Sequence, residues 1–153
     1  MTFDEIIQVL AGFVGTLGFG VLFNVRGKRL IVAAIGGLLS WLLFILINKV
    51  VNNEPVTYFA VSVAISAYAE IMARVLKTPT TAFIITGLIP LIPGGSLYYT
   101  MAYAFESDIN KFVSKAVYTL ELAAALALGV ITVTTIVKII NKITQKVKND
   151  RKA

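Results

Sequence analysis

Apolar residues run along this chain in long blocks separated by short polar turns. A stretch of about 20 apolar residues crosses a bilayer as a helix, and five blocks approach or exceed that length: about 6–23, 30–47, 56–76, 79–105 and 116–140. The separators are a basic turn at Asn24 to Arg29, a polar turn at Lys49 to Pro55, a short basic turn at Arg74 to Lys77, and a mixed-charge connection at Glu106 to Lys115. The last of these is expected to form a short amphipathic helix on the surface. The pattern predicts an all-α integral membrane protein with five transmembrane helices. It forms a single transmembrane domain over residues 1–153, ending in a basic tail at 141–153.

The fourth block is interrupted. Thr78-Pro79-Thr80 starts it cleanly, because proline is tolerated in a first helical turn. From Pro79 to Ile89 is about 16 Å of helix, roughly half the hydrocarbon thickness. Pro90-Leu91-Ile92-Pro93-Gly94-Gly95 then breaks the span near the midplane. Backbone freed from helical hydrogen bonds in lipid must find other partners, so such breaks persist where they line a cavity. A second half-helix, Ser96 to Phe105, can follow, with free N–H groups and the positive dipole end at its start, a natural seat for a carboxylate. Pro90, Pro93, Gly94, Gly95 and Ser96 are therefore candidate binding residues. Tyr98, Tyr99 and Tyr103 read as interface or packing aromatics, with Tyr99 carried forward as the one facing the pocket. The competing reading is a proline kink that serves packing alone.

Polar residues inside the other spans supply further candidates. The third block contains Ser62, Ser66, Tyr68, Glu70 and Arg74. Glu70 and Arg74 are four apart and share a helix face, so they can pair at an interface; alternatively Glu70 faces a cavity and gates or couples transport. Glu121 in the fifth block is either an interfacial charge or a second cavity carboxylate. In the first block Gly12, Gly15 and Gly18, with Ala11, form a small-residue face suited to close helix contact or, less simply, to lining a path.

Composition agrees with a membrane chain: 58% of residues are hydrophobic and 14% charged, against about 25% charged in soluble domains. The net charge of +6 does not point to nucleic acid, because the basic residues lie in turns and tail without interleaved aromatics. Absence of Cys and His excludes thiolate catalysis, disulfides, and thiol or imidazole metal sites. No catalytic residue, metal ligand or cofactor is assigned. The acidic start, Met1-Thr2-Phe3-Asp4-Glu5, does not read as a signal peptide, and the first apolar block is expected to remain. Placing the two basic turns and the tail on one side collects eleven of the fourteen Lys and Arg residues there. By the positive-inside rule the N-terminus is outside and the C-terminus cytoplasmic. An odd number of spans makes the chain suited to pairing with a second unit of opposite topology.

Three blocks carry a family pattern: Phe19 to Asn24; Tyr68-Ala69-Glu70-Ile71-Met72-Ala73-Arg74 with Lys77-Thr78-Pro79; and Ile89 to Gly95 followed by Tyr98-Tyr99-Thr100-Met101. They resemble the small, five-helix subunit of the threonine/serine exporter family, over about Leu10 to Ile140. The resemblance implies a multi-pass protein of the cell inner membrane that exports threonine, serine or related small carboxylates, driven by the proton-motive force. It implies a partner, a larger subunit with five helices and a cytoplasmic N-terminal domain, beside small-molecule substrate and lipid. Glu70, Arg74 and Asn24 become coupling or gating candidates through their place in the shared motifs. Glu121 is a weaker one, because the family's acidic residue is expected nearer the start of that span, about where Tyr118 stands. A membrane scaffold that only stabilises a partner is the alternative function, and an intramembrane hydrolase finds no supporting arrangement of residues.

Overall fold

The computed structural model describes residues 2–150, with side chains through 146. These residues form helices α1 (Phe3–Leu22), α2 (Lys28–Val51), α3 (Glu54–Val75), α4 (Thr80–Leu88), a 3₁₀ turn (Ile89–Leu91), α5 (Gly94–Phe105) and α6 (Ile109–Asp150). No strand occurs among them. Four helices are each long and apolar enough to cross a membrane, and α4 with α5, bent by 60° at the break, is apolar enough to make a fifth, interrupted span or a re-entrant pair.

Local chemistry sets the helix ends. Thr2 and Glu5 form a capping box at α1, which satisfies two of the N–H groups a helix start leaves free. Glu5 also pairs with Lys49 at 2.7 Å, tying the start of α1 to the end of α2. Asn53 caps α3 by accepting from the Val56 N–H, with Pro55 in its first turn. Gly27 takes φ +63° and ψ −139° before α2, a conformation accessible chiefly to glycine.

In lipid, water gives helices little reason to associate, so packing depends on small residues that let backbones approach. Thr16 of α1 sits in the notch left by Gly37 of α2, and Gly36 of α2 meets Gly87 of α4. Tyr68 of α3 donates to the Val32 carbonyl of α2 at 2.8 Å. Helices α3 and α6 run parallel: Glu54 meets Tyr118 at one end, Ser62 meets Gly129 in the middle, and Arg74 meets Asn141 at the other end. Helix α5 packs on α6, where Ser96, Thr100 and Thr119 join their hydroxyls at 2.7 and 3.1 Å.

One sequence expectation needs correction. The segment Glu106 to Lys115 is not a separate surface helix: Asp108 caps a helix that starts at Ile109 and continues unbroken to Asp150. Its 42 residues make a rod of about 63 Å, whose first turns hold Asn110 to Lys115, while Glu106 and Asp108 stand in the turn before it. Of the expected basic tail, 141–150 continues this helix, and 151–153 lie outside the described residues.

Candidate functional site

The break in the fourth span follows from its prolines. Pro90 has no N–H to donate, Ile92 closes a 3₁₀ turn onto the Ile89 carbonyl at 3.1 Å, and Pro93 stands at the N-cap of α5. Leu91, fully buried, shares a core cluster with Tyr58, Val61, Ile65, Leu122 and Ala125, while the 3₁₀ turn itself packs on α2 and α1. Pro90 lies beside Gly12, in the middle of α1. The Leu97 N–H reaches the Pro93 carbonyl at 2.9 Å. Helix geometry therefore gives the amides of Gly95 and Ser96 no carbonyl within α5.

An open cavity of ≈ 360 Å³ adjoins this break. Pro90, Pro93, Gly94, Gly95, Ser96 and Tyr99, all singled out from the sequence, line it together. A side chain added at Gly94 or Gly95 would meet no atom within 4 Å, so both glycines border empty space. The Ser96 side chain is committed sideways, to Thr119 of α6 at 2.7 Å, which leaves its backbone amide as the group able to meet a ligand. Tyr99 belongs to a row of aromatic rings, edge-on to Tyr98 at 5.5 Å and stacked with Tyr103 at 6.5 Å.

Three charged or polar lining residues escaped the sequence reading as site residues: Glu54, Lys115 and Tyr118. Tyr118 donates its hydroxyl to Glu54, and the Lys115 ammonium lies 5.0 Å from the centre of the Tyr118 ring. Their separation in sequence hid them, since only the parallel register of α3 and α6 brings position 54 to position 118. The available signal was the spacing of Lys115 and Tyr118, three apart on one helix face.

The coupling candidates lie elsewhere. Glu70 and Arg74 line a second, mostly apolar groove of ≈ 380 Å³ between α3 and α6, toward the basic end of the bundle. The pairing that their spacing permits is not formed: Arg74 donates instead to Asn141 at 3.2 Å. Asn24 is an exposed turn residue with φ +59° and lines neither space. Glu121 is exposed on α6, one turn past Tyr118, and does not line the cavity. On the far side of Pro90, a third space of ≈ 290 Å³ is bounded by Gln8, Gly12, Trp41 and Ile89. Trp41 and Pro90 form a wall common to it and to the cavity at the break, and Trp41 donates to Gln8 at 3.2 Å.

A multi-pass helical membrane protein with a cavity at an interrupted span has the general build of a small-solute transporter. The family model described as Threonine/Serine exporter, ThrE, matches residues 8–136 of the chain. The chain belongs to this family of transporters, and it is a multi-pass membrane protein. Nothing among the curated proteins or the solved structures matches it significantly.

Proposed function

We propose that this chain is one half of a secondary transporter that exports threonine, serine or a related small carboxylate, with the solute bound at the break between α4 and α5. The observation that carries this reading is the convergence of Pro90, Pro93, Gly94, Gly95, Ser96 and Tyr99 on one cavity, beside two first-turn amides that lack helical partners. Such amides and the helix dipole favour a carboxylate. A larger five-helix subunit completes the transporter. Gly15 and Gly18 support this need for a partner, because a side chain at either would meet no atom of the chain within 4 Å. The N-terminus faces outward and the C-terminus the cytoplasm, in keeping with the collection of Arg26, Lys28, Arg29, Arg74 and Lys77 at one end of the bundle. Glu70 couples export to protons, from a groove that reaches toward that end.

The test is efflux of labelled threonine, serine and succinate from preloaded cells lacking their own exporters. It is run with this chain alone and with its five-helix partner. Efflux that requires both chains supports the half-transporter; no efflux from an assembled complex overturns it. The outward-facing Gly15 and Gly18 also favour a second reading, a scaffold that only stabilises a partner. In that case cavity substitutions are silent, and leucine at Gly15 or Gly18 breaks the complex.

A further inference from the structure

We infer that the cavity at the break is built for a zwitterion, with Lys115 receiving a carboxylate and Glu54 an ammonium group, so that these two side chains select an α-amino acid over a dicarboxylate. The inference rests on the proposed export function and narrows its substrate.

Both residues line the same cavity, yet among the described residues neither forms an ion pair. Lys111, one turn before Lys115, shows the alternative: it pairs with Asp108 at 3.0 Å and lies over Tyr103. Lys115 has no such acid. Its ammonium stands over the face of Tyr118, whose hydroxyl at the other end of the ring donates to Glu54. Tyr118 thus acts as a strut between a cation and an anion that border one space without neutralising each other. Lys115 is half-buried and Glu54 exposed at the start of α3, and both retain hydrogen-bonding capacity that no protein group fills, three donors on one and several lone pairs on the other.

A solute carrying both charges satisfies both groups at once. A dicarboxylate can satisfy Lys115, but its second carboxylate then faces Glu54, and that like-charge approach is the repulsive element that specificity requires. The volume, ≈ 360 Å³, lies at the small end of ligand pockets, as suits an amino acid of threonine's size.

Full-length chain co-produced with its five-helix partner and reconstituted in lipid nanodiscs provides the test. Binding of labelled threonine and labelled succinate is measured directly, and 3-hydroxybutyrate, which lacks the ammonium, and threoninamide, which lacks the carboxylate, compete against threonine. Threonine should bind at least about tenfold more tightly than succinate or either analogue. Glu54→Gln should shrink the gap between threonine and 3-hydroxybutyrate to about threefold or less, and Lys115→Met should do the same for threoninamide. Both replacements nearly preserve side-chain size, and a comparison of the two analogues within each variant separates charge recognition from general damage. Succinate binding as tightly as threonine, or gaps unchanged in both variants, would overturn the zwitterion assignment while leaving the export function standing. Binding of neither labelled solute would refute the export reading itself.

Discussion

Gly129 and Gly15 should respond to the same substitution with opposite signs. An alanine Cβ at Gly129 would overlap Ser62 Oγ and lie 2.9 Å from both the Phe59 carbonyl oxygen and Ser62 Cβ, whereas two carbon atoms normally rest about 3.5–4.0 Å apart. Both neighbours belong to α3 at or next to its backbone, so they cannot swing aside; the two parallel helices must separate. Overpacking of this kind costs about 1–3 kcal/mol, and the better helix propensity of alanine offsets roughly 1 kcal/mol of it. The expected net effect of Gly129→Ala is a loss of about 1 kcal/mol. At Gly15 nothing lies within 4 Å of the new methyl group, so only the propensity acts, and Gly15→Ala should gain about 0.5–1 kcal/mol in the isolated chain. Reversible unfolding in mixed micelles, followed by steric trapping, measures both. Ser62→Gly combined with Gly129→Ala removes one of the two obstacles and should recover about half of the loss, a coupling that a double-mutant cycle isolates. Equal stability of Gly129→Ala and Gly15→Ala would refute the close α3–α6 contact, and with it the register that brings Glu54 to Tyr118.

Other substitutions test the site and its surroundings. Gly95→Leu should abolish efflux while leaving the chain in the membrane, since its side chain enters empty space rather than packed protein; normal efflux would remove Gly95 from the binding site. If Glu70 couples protons, Glu70→Gln should flatten the pH dependence of export, whereas an unchanged profile returns it to a structural role in the α3–α6 groove. Asp108→Ala should lower stability at neutral pH, because the Asp108 carboxylate accepts the Lys111 N–H at the start of α6 and pairs with its ammonium. Those hydrogen bonds, from the Lys111 amide first, hold the Asp108 pKa below its ordinary value of 3.8. Its contribution is thus present above 3.8 and fades as pH falls through the lower folded value, so thermal melts of the variant and the parent chain should converge only in strong acid.

The membrane-spanning helices could be read from hydropathy because lipid forces every span to satisfy its own backbone and present an apolar surface. The break was equally plain: Pro90 and Pro93 remove amides that no neighbouring residue replaces. What hydropathy could not convey was continuity at Asn110 to Ser114, since polar residues in a helix that projects beyond lipid look like those of a surface helix. Nor could spacing alone decide the partner of Arg74, because its guanidinium reaches Asn141 across the helix interface as readily as Glu70 along its own helix. The glycines of the first block carried two meanings at once: Gly12 packs beside Gly37 and Trp41 within the chain, whereas Gly15 and Gly18 look outward. Such distinctions depend on helix rotation, which periodicity defines only relative to neighbours.

Trp41 is the chain's single tryptophan, and it forms part of the wall shared by the spaces on either side of Pro90. Its indole N–H is held by Gln8, while its ring stacks on Phe44 at 5.1 Å. The molecule therefore contains one indole, which can be excited apart from its six tyrosines, placed beside the interruption of the fourth span and within reach of changes on both sides. A solute that settles against that wall, or a motion that parts α1 from the break, alters the solvation of one indole and shifts its emission. The unlabelled protein can thus report optically on occupancy at its own centre.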